Sequence, residues 1–364
     1  FGELLRKSKR PLILAGQGLK QAGVAGDFLE LVNRLQVPVG FSRLGHDMLP
    51  RSHRLNLGQL GRRGALRSRE ILEQADLVIA LGCRMAVQLA GADLSHLSPT
   101  AEVVMVDIDE AELSKFSGRL SLAVNADLKN FLPAVLGSTL TVDPANWRSW
   151  ADRTLADKDV TPIHSASLED GLDLYDFMSA LDRLSPPGTI FVTDAGSNYY
   201  VGGQVFRFED AKREITSGSY AAMGISLPLA IGAASARTPN KILAVTGDGS
   251  LELNIQELKT LSYYRMPVAL FVINNGGYVS MRNWQDSFFE GRRIGSDDET
   301  GAEMLPLSSV AETFGLPFRR IEFSRDLETQ ILDAIAVDGP LFVEVVCTPS
   351  QKITQPFLDA ELSS

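Results

Sequence analysis

The stretch "ILAVTGDGSLELN", residues 242–254, decides how the fold is read. A run of β-prone apolar residues stops at Gly247-Asp248-Gly249, and a helix-like pattern follows at once. A short continuous apolar run bounded by turn residues reads as a strand buried on both faces. Strands of that kind belong to parallel sheets whose two faces are covered by helices. Ligands of open parallel sheets bind at the carboxyl ends of the strands, where Asp248 stands as a lone carboxylate between glycines.

The same grammar runs through the chain. "PLILA" (11–15) reads as a buried strand ending at Gly16-Gln17-Gly18, and Val24, Phe28, Leu31, Val32 and Leu35 recur with a helical period. "VPVGFS", "DLVIALGC" and "AEVVMVDID" are strand-like, and "SREILEQA" is helical. Residues 1–140 therefore predict one α/β domain. Residues 141–170 form a polar connector whose Trp147 and Trp150, three apart on one helix, pack it against the domains. From 171 to 364 the alternation resumes: helix "LDLYDFMSALDRL", strand "TIFVTDAG", helix "MGISLPLAIGAASA", strand "KILAVTG", helix "LELNIQELKTLSYY" and strand "VALFVINN". "FRRIEF", "LETQILDAIA" and "PLFVEVV" close the series. The expected fold class is α/β, two tandem doubly wound parallel-sheet domains.

Composition narrows the function. The 364 residues hold 45% hydrophobic and 22% charged side chains, the balance of a soluble globular protein. Lys plus Arg number 35 against 45 Asp plus Glu, and the net charge of −10 argues against a nucleic-acid surface. Cys83 and Cys347 have no metal-ligand spacing and predict small core residues in a reduced, cytoplasmic protein. No apolar run is long enough to span a bilayer, so no membrane association is expected. The chain starts at Phe1 without an initiator Met and runs directly toward a strand, which reads as a piece of a longer polypeptide. Of four histidines, His46, His53 and His96 fall in the first domain and His164 in the connector, so a His-centred site in the second domain is excluded.

Three strand ends carry unusual polar residues: Asp194-Ala195-Gly196-Ser197-Asn198, Gly247-Asp248-Gly249-Ser250 and Asn274-Asn275-Gly276-Gly277. The last two belong to one strand–helix–strand unit, which should return Asp248 and Asn275 to the same edge. A carboxylate, an amide oxygen and a glycine carbonyl make an all-oxygen half-shell suited to Mg²⁺, an ion that keeps positions open for ligand phosphates. Glycines let backbone N–H groups approach such oxygens, and Ser250 lies at a helix N-terminus, where anions are favoured.

"GDGSLELNIQEL" followed by "INNGGY" resembles the Gly-Asp-Gly to Asn-Asn signature of thiamine diphosphate enzymes. "GSYAAMGISLPLAIGAA" is similar to a segment of the acetolactate synthase family, and "GRRGALRSREILEQADLVIALGCRM" with "VMVDIDEAEL" to that family's central domain. The resemblance implies that Asp248, Asn275 and the Gly277 carbonyl bind Mg²⁺. Gly196, Ser197, Asn198, Gly247, Gly249, Ser250 and Tyr278 would then line the cofactor, with Met223 beneath it and the Ala221 carbonyl facing its aminopyrimidine. It implies decarboxylation of a 2-keto acid, with pyruvate first in line, and carboligation to an acceptor. It implies as well a homodimer or homotetramer, or a partner subunit carrying the N-terminal pyrimidine-binding domain and its activating Glu, which this chain lacks.

The chain departs from the family where Ser197-Asn198 replace a usual Gln-His pair, which keeps a keto-sugar or other carbonyl acceptor, or simple decarboxylation, in play. The family's Trp of the second-substrate pocket falls at Trp284 or Arg282, depending on where a gap is placed. FAD, bound by the central domain of many relatives, rests here only on Gly16 and Gly18, and a lone Gly-x-Gly is more often a turn. Two readings from other classes compete. A non-catalytic assembly subunit should have lost Asp248 or Asn275, and a nicotinamide-binding enzyme needs a fuller glycine fingerprint than "AGQGLKQAG".

Overall fold

A computed structural model describes residues 1–156, 158, 171–236, 238–323 and 325–357. The chain divides into two compact units, Phe1–Thr161 with Thr354–Ser364, and Pro162–Ile353. Each is built on a six-stranded, all-parallel sheet with flanking helices, as the alternating pattern predicts.

In the first unit, β1 (Pro11–Ala15), β2 (Val39–Phe41), β3 (Asn56–Gln59), β4 (Leu77–Leu81), β5 (Glu102–Asp107) and β6 (Leu122–Asn125) lie in the order β3-β2-β1-β4-β5-β6. The helix Ala25–Leu35 buries Phe28, Leu31, Val32 and Leu35, the stripe its period predicts. The ends of β1 and β4 come together through backbone. Gly16 N–H donates to Leu81 O and Gly18 N–H to Gly82 O, each at 3.0 Å. A Cβ on Gly16 would lie 2.0 Å from the Gly82 carbonyl oxygen and 2.4 Å from Cys83 Cα, atoms that cannot rotate away. Gly16→Ala is therefore expected to cost about 3 kcal/mol, the upper range for forced overpacking. A urea midpoint equal to that of the parent chain would contradict this.

The sequence reading places boundaries at 140 and 170 and assigns everything after 171 to the second domain. In the structure, the described part of the connector and Thr354–Phe357 belong with the first unit instead. Trp147 and Trp150 are 1% and 2% exposed, and their indole N–H groups donate to Gln36 O (3.2 Å) and Pro11 O (3.1 Å). Phe357 stacks on His96 with centroids 3.9 Å apart. An indole buried with its N–H satisfied is an anchor, which explains why this polar segment stays with the first unit. Residues 157 and 159–170 of the connector, His164 among them, lie outside the described residues.

The second unit contains β7 (Ile190–Thr193), β8 (Arg213–Ile215), β9 (Ile242–Gly247), β10 (Val268–Asn274), β11 (Phe318–Ile321) and β12 (Leu341–Val346), in the order β11-β12-β10-β9-β7-β8. Successive residues alternate between two helix layers. Phe191, Leu243, Phe271 and Val343 pack on one side, and Val192, Ala244, Leu270 and Phe342 on the other. Both faces are buried, which is why these strands read as unbroken apolar runs. From β7 the chain goes out to the edge strand β8 and returns past β7 to β9, so the strand order reverses between β7 and β9. Such a reversal opens a crevice at the carboxyl ends of the two strands.

Candidate active site at the carboxyl ends of β7, β9 and β10

Asp194 directly follows β7 and has no exposed surface. Its Oδ1 accepts from Ala195 N–H (2.7 Å) and Asn198 Nδ2 (3.2 Å), and its Oδ2 from Thr246 Oγ1 (2.6 Å) and Ser250 Oγ (2.7 Å). Burial pushes this carboxyl up while the four donors pull it back. Asp194 thus rivets the end of β7 to the end of β9.

Asp248 follows β9 and is 3% exposed. Its Oδ1 accepts from Gly249 N–H (2.8 Å), and its Oδ2 from Gly277 N–H (3.0 Å) and Asn275 N–H (3.3 Å). The strand–helix–strand unit therefore brings Asp248 and Asn275 to one edge. A carboxylate offers about four acceptor positions, so one remains open after these three bonds. Burial, opposed by those bonds and by the Arg282 charge, pushes this carboxyl up to about 6.

Asn275 is buried, and its side-chain amide has no protein hydrogen-bond partner among the described residues. Gly277 has φ +107°, and a Cβ there would lie 2.6 Å from Ser296 O, so only glycine fits. The available donors are one carboxylate oxygen, one buried amide and one glycine carbonyl. The described residues contain no cluster of three or more His, Cys, Asp or Glu side chains suited to a metal. An oxygen set with a single charge fits a hard cation that takes its remaining ligands from a phosphorylated molecule and water.

The other sequence-predicted residues distribute around this edge. Gly196 (φ +70°) and Ser197 open the helix Gly196–Val205. Asn198 turns its amide N–H into Asp194 and Ala195 O (2.9 Å), which fixes its orientation and leaves its buried Oδ1 without a partner. The Ser250 hydroxyl is occupied too, donating to Asp194 and accepting from Gly224 N–H (2.8 Å). That bond ties the Ala221–Met223 segment to the end of β9. Ala221 has φ +42°, and Met223 is partly exposed beside the tethered Gly224. The Tyr278 ring covers Gly249, where a Cβ would lie 2.5 Å from its Cε1; at Gly247, by contrast, a Cβ would meet only Ser250 Cβ, at an ordinary contact distance of 3.8 Å.

Trp284 and Arg282, alternatives in sequence, take opposite places. Trp284 is 43% exposed and lies against Phe288, with centroids 4.2 Å apart. Arg282 is 3% exposed and turned into the loop that carries Asn275 and Gly277. Neither the riveting role of Asp194 nor this role of Arg282 has a signal in sequence spacing, because their partners come from distant segments. The loop after Trp284 is held by Arg293–Asp286 pairing (2.8 Å) and a capping box between Asp297 and Thr300. Both cysteines are free and buried, and burial raises both thiols, Cys83 to about 11. They are core residues, as expected.

The sequence matches two family models, the thiamine pyrophosphate enzyme central domain over residues 2–135 and the C-terminal TPP binding domain over residues 194–345. The chain belongs to the thiamine pyrophosphate enzymes. The second match begins at Asp194 and spans Asp248 and Asn275. This family member is 30% identical over 362 residues to the acetolactate synthase large subunit of Lactococcus lactis, covering 99% of the chain and 61% of the relative. It is 29% identical over 350 residues to the acetolactate synthase isozyme 1 large subunit of Escherichia coli, covering 96% and 60%. Against acetolactate synthase 1, chloroplastic, of Nicotiana tabacum the identity is 27% over 362 residues, covering 98% and 54%. The chain therefore spans little more than half the length of the curated relatives it matches. No helix among the described residues is long and apolar enough to cross a membrane.

Proposed function

We propose that this chain is the central and cofactor-binding part of a cytoplasmic, thiamine diphosphate- and Mg²⁺-dependent enzyme. The enzyme decarboxylates a 2-keto acid, pyruvate in the first instance, and joins the remaining fragment to a carbonyl acceptor. The observation that carries this reading is the placement of Asp248, Asn275 and Gly277 on one strand edge beside the β7/β9 crevice. In this reading Asp248, the Asn275 amide oxygen and the Gly277 carbonyl hold Mg²⁺. Backbone N–H groups at Gly196–Ser197 and at Ser250 receive the diphosphate beside Gly249, with Met223 and Ala221 bordering the aminopyrimidine and Tyr278 nearby. When bound, thiamine diphosphate supplies the carbanion and the electron sink. The protein contributes charge, orientation and a bounded site.

The activating Glu and its pyrimidine-binding domain would come from the remainder of the polypeptide or from a partner subunit, and the site would form within a homodimer or homotetramer. Gly16 and Gly18 are accounted for by backbone packing against Gly82 and Cys83, so they carry no argument for FAD. A second reading, with a keto-sugar or other carbonyl acceptor or simple decarboxylation, rests on Ser197-Asn198 standing where the family usually has a Gln-His pair. The test supplies the complete gene product with Mg²⁺, thiamine diphosphate and pyruvate and follows products by NMR. Acetolactate supports the first reading. Acetaldehyde, or turnover only after a sugar is added, supports the second, and no consumption of any 2-keto acid contradicts both.

A pH dependence follows from Asp248. Its carboxyl, ordinarily near 3.8 and here about 6, must be ionised to bind a cation. Apparent Mg²⁺ affinity should therefore fall about tenfold per pH unit below the raised value and level off above it. Without metal the sign is opposite for stability. The folded state holds the Asp248 proton more tightly than the unfolded chain, so stability present below the ordinary value is lost as pH rises through about 6. Calorimetric Mg²⁺ titrations, corrected for the ligand's own protonation, check the first statement; a flat affinity would refute it.

A further inference from the structure

Arg282 lies in the first turn of the helix Val279–Phe288 and is 3% exposed. Its guanidinium makes four hydrogen bonds, all to backbone carbonyls. Nη1 donates to Gly276 O (2.7 Å) and Ser296 O (3.0 Å), and Nη2 to Asn275 O (2.7 Å) and Pro349 O (3.2 Å). A buried cation bonded only to neutral oxygens is an expensive way to stabilise a fold, because desolvating a charge costs several kcal/mol. Its partners suggest what it is for. Two of the four carbonyls belong to the segment that carries Asn275 and Gly277.

The peptide unit joining Gly276 to Gly277 is gripped from both sides. Its C=O accepts from Arg282 Nη1, and its N–H donates to Asp248 Oδ2 at 3.0 Å. In a planar trans peptide the C=O and N–H point in opposite directions, so these two contacts together set the plane of the unit. Gly276 (φ +67°) and Gly277 (φ +107°) are the residues least able to hold a conformation by themselves. Asn275 is held in the same way, with its N–H on Asp248 and its C=O on Arg282. A cation bound by Asp248, the Asn275 amide and the Gly277 carbonyl would thus meet ligands whose backbone Arg282 has already fixed.

We propose that Arg282 is a positioning residue for the divalent cation: it presets the Asn275–Gly277 loop and so determines both the affinity of the site and its preference for small ions. The proposal deepens the Mg²⁺–thiamine diphosphate reading and rests on it. Mg²⁺ demands near-ideal octahedral geometry, whereas Ca²⁺ accepts irregular shells. Loosening the loop should therefore penalise Mg²⁺ more than Ca²⁺.

The test uses the complete gene product and its Arg282→Met and Arg282→Lys forms. Binding of thiamine diphosphate is followed by intrinsic fluorescence as Mg²⁺ or Ca²⁺ is titrated, and metal-free melting is recorded in parallel. Loss of a group that orients a metal ligand typically weakens the metal about 10- to 100-fold. Arg282→Met should lose Mg²⁺ affinity within that range and Ca²⁺ affinity by less than about threefold. Arg282→Lys, which keeps the charge but not the fork, should fall between Met and the parent. Equal weakening for both cations, or parental Mg²⁺ affinity in a folded variant, would overturn the proposal, and the Lys form decides the matter if the Met form does not fold. Cation-independent binding of thiamine diphosphate by the parent protein would instead overturn the underlying site assignment, and this proposal with it.

Discussion

Asp248→Ala is expected to weaken Mg²⁺-dependent binding of thiamine diphosphate by at least about a hundredfold, the upper end of what losing even an indirect metal contact costs. Folding is affected by two opposed terms. Removing the carboxylate strands the N–H groups of Gly249, Asn275 and Gly277, at about 1–3 kcal/mol for each donor left unsatisfied. It also removes a buried charge whose carboxyl stands at about 6 rather than 3.8, a relief of about 3 kcal/mol at neutral pH. The relief offsets only part of the cost, so the variant should also melt lower, by a net of up to about 6 kcal/mol, and binding is compared at a temperature where it is still folded. Calorimetry and thermal melts on one preparation separate the two. Parental affinity in this variant would remove Asp248 from the site.

The second large effect concerns stability. Asp194→Ala leaves four donors, Ala195 N–H, Asn198 Nδ2, Thr246 Oγ1 and Ser250 Oγ, without their acceptor in a fully buried place. Breaking a buried charged network in this way costs about 3–5 kcal/mol. The loss should appear as a lower urea midpoint. It should also spread to the ligand edge, because Ser250 is the link through which Asp194 holds Gly224 and the Met223 segment. Asp194→Asn keeps one acceptor oxygen but sets an amide N–H₂ against donors, and should recover less than half of the loss. An unchanged midpoint for Asp194→Ala would show that the rivet is dispensable.

The central strands, and the edge where Asp248 and Asn275 meet, were legible in sequence for one physical reason. β1, β4, β5, β7, β9 and β10 are buried on both faces, so each appears as an apolar run that ends where polar chemistry begins. The edge strands β6 and β8 were not. β8 is only Arg213–Ile215 and β6 only Leu122–Asn125, with alternating exposure and too few residues to show a pattern. The helix Gly196–Val205 was missed because it is buried nearly all round and shows no amphipathic period. Arg282 illustrates a deeper limit. Its four acceptors are main-chain oxygens contributed by residues 275, 276, 296 and 349. Carbonyls have no residue identity, so nothing in the sequence could announce that arrangement. The Trp147–Trp150 pair was legible as the means by which the connector packs, but not the unit it joins, because the acceptors of both indole N–H groups are main-chain oxygens, Gln36 O and Pro11 O.

The most direct test of the central claim is electron paramagnetic resonance of Mn²⁺ titrated into the complete gene product, with and without thiamine diphosphate. Mn²⁺ shares the oxygen preference of Mg²⁺ and reports its own coordination. The account predicts a bound signal that appears only with the diphosphate present and vanishes in Asp248→Ala. A bound signal that survives Asp248→Ala, or thiamine diphosphate that binds equally well in a chelator, would contradict it.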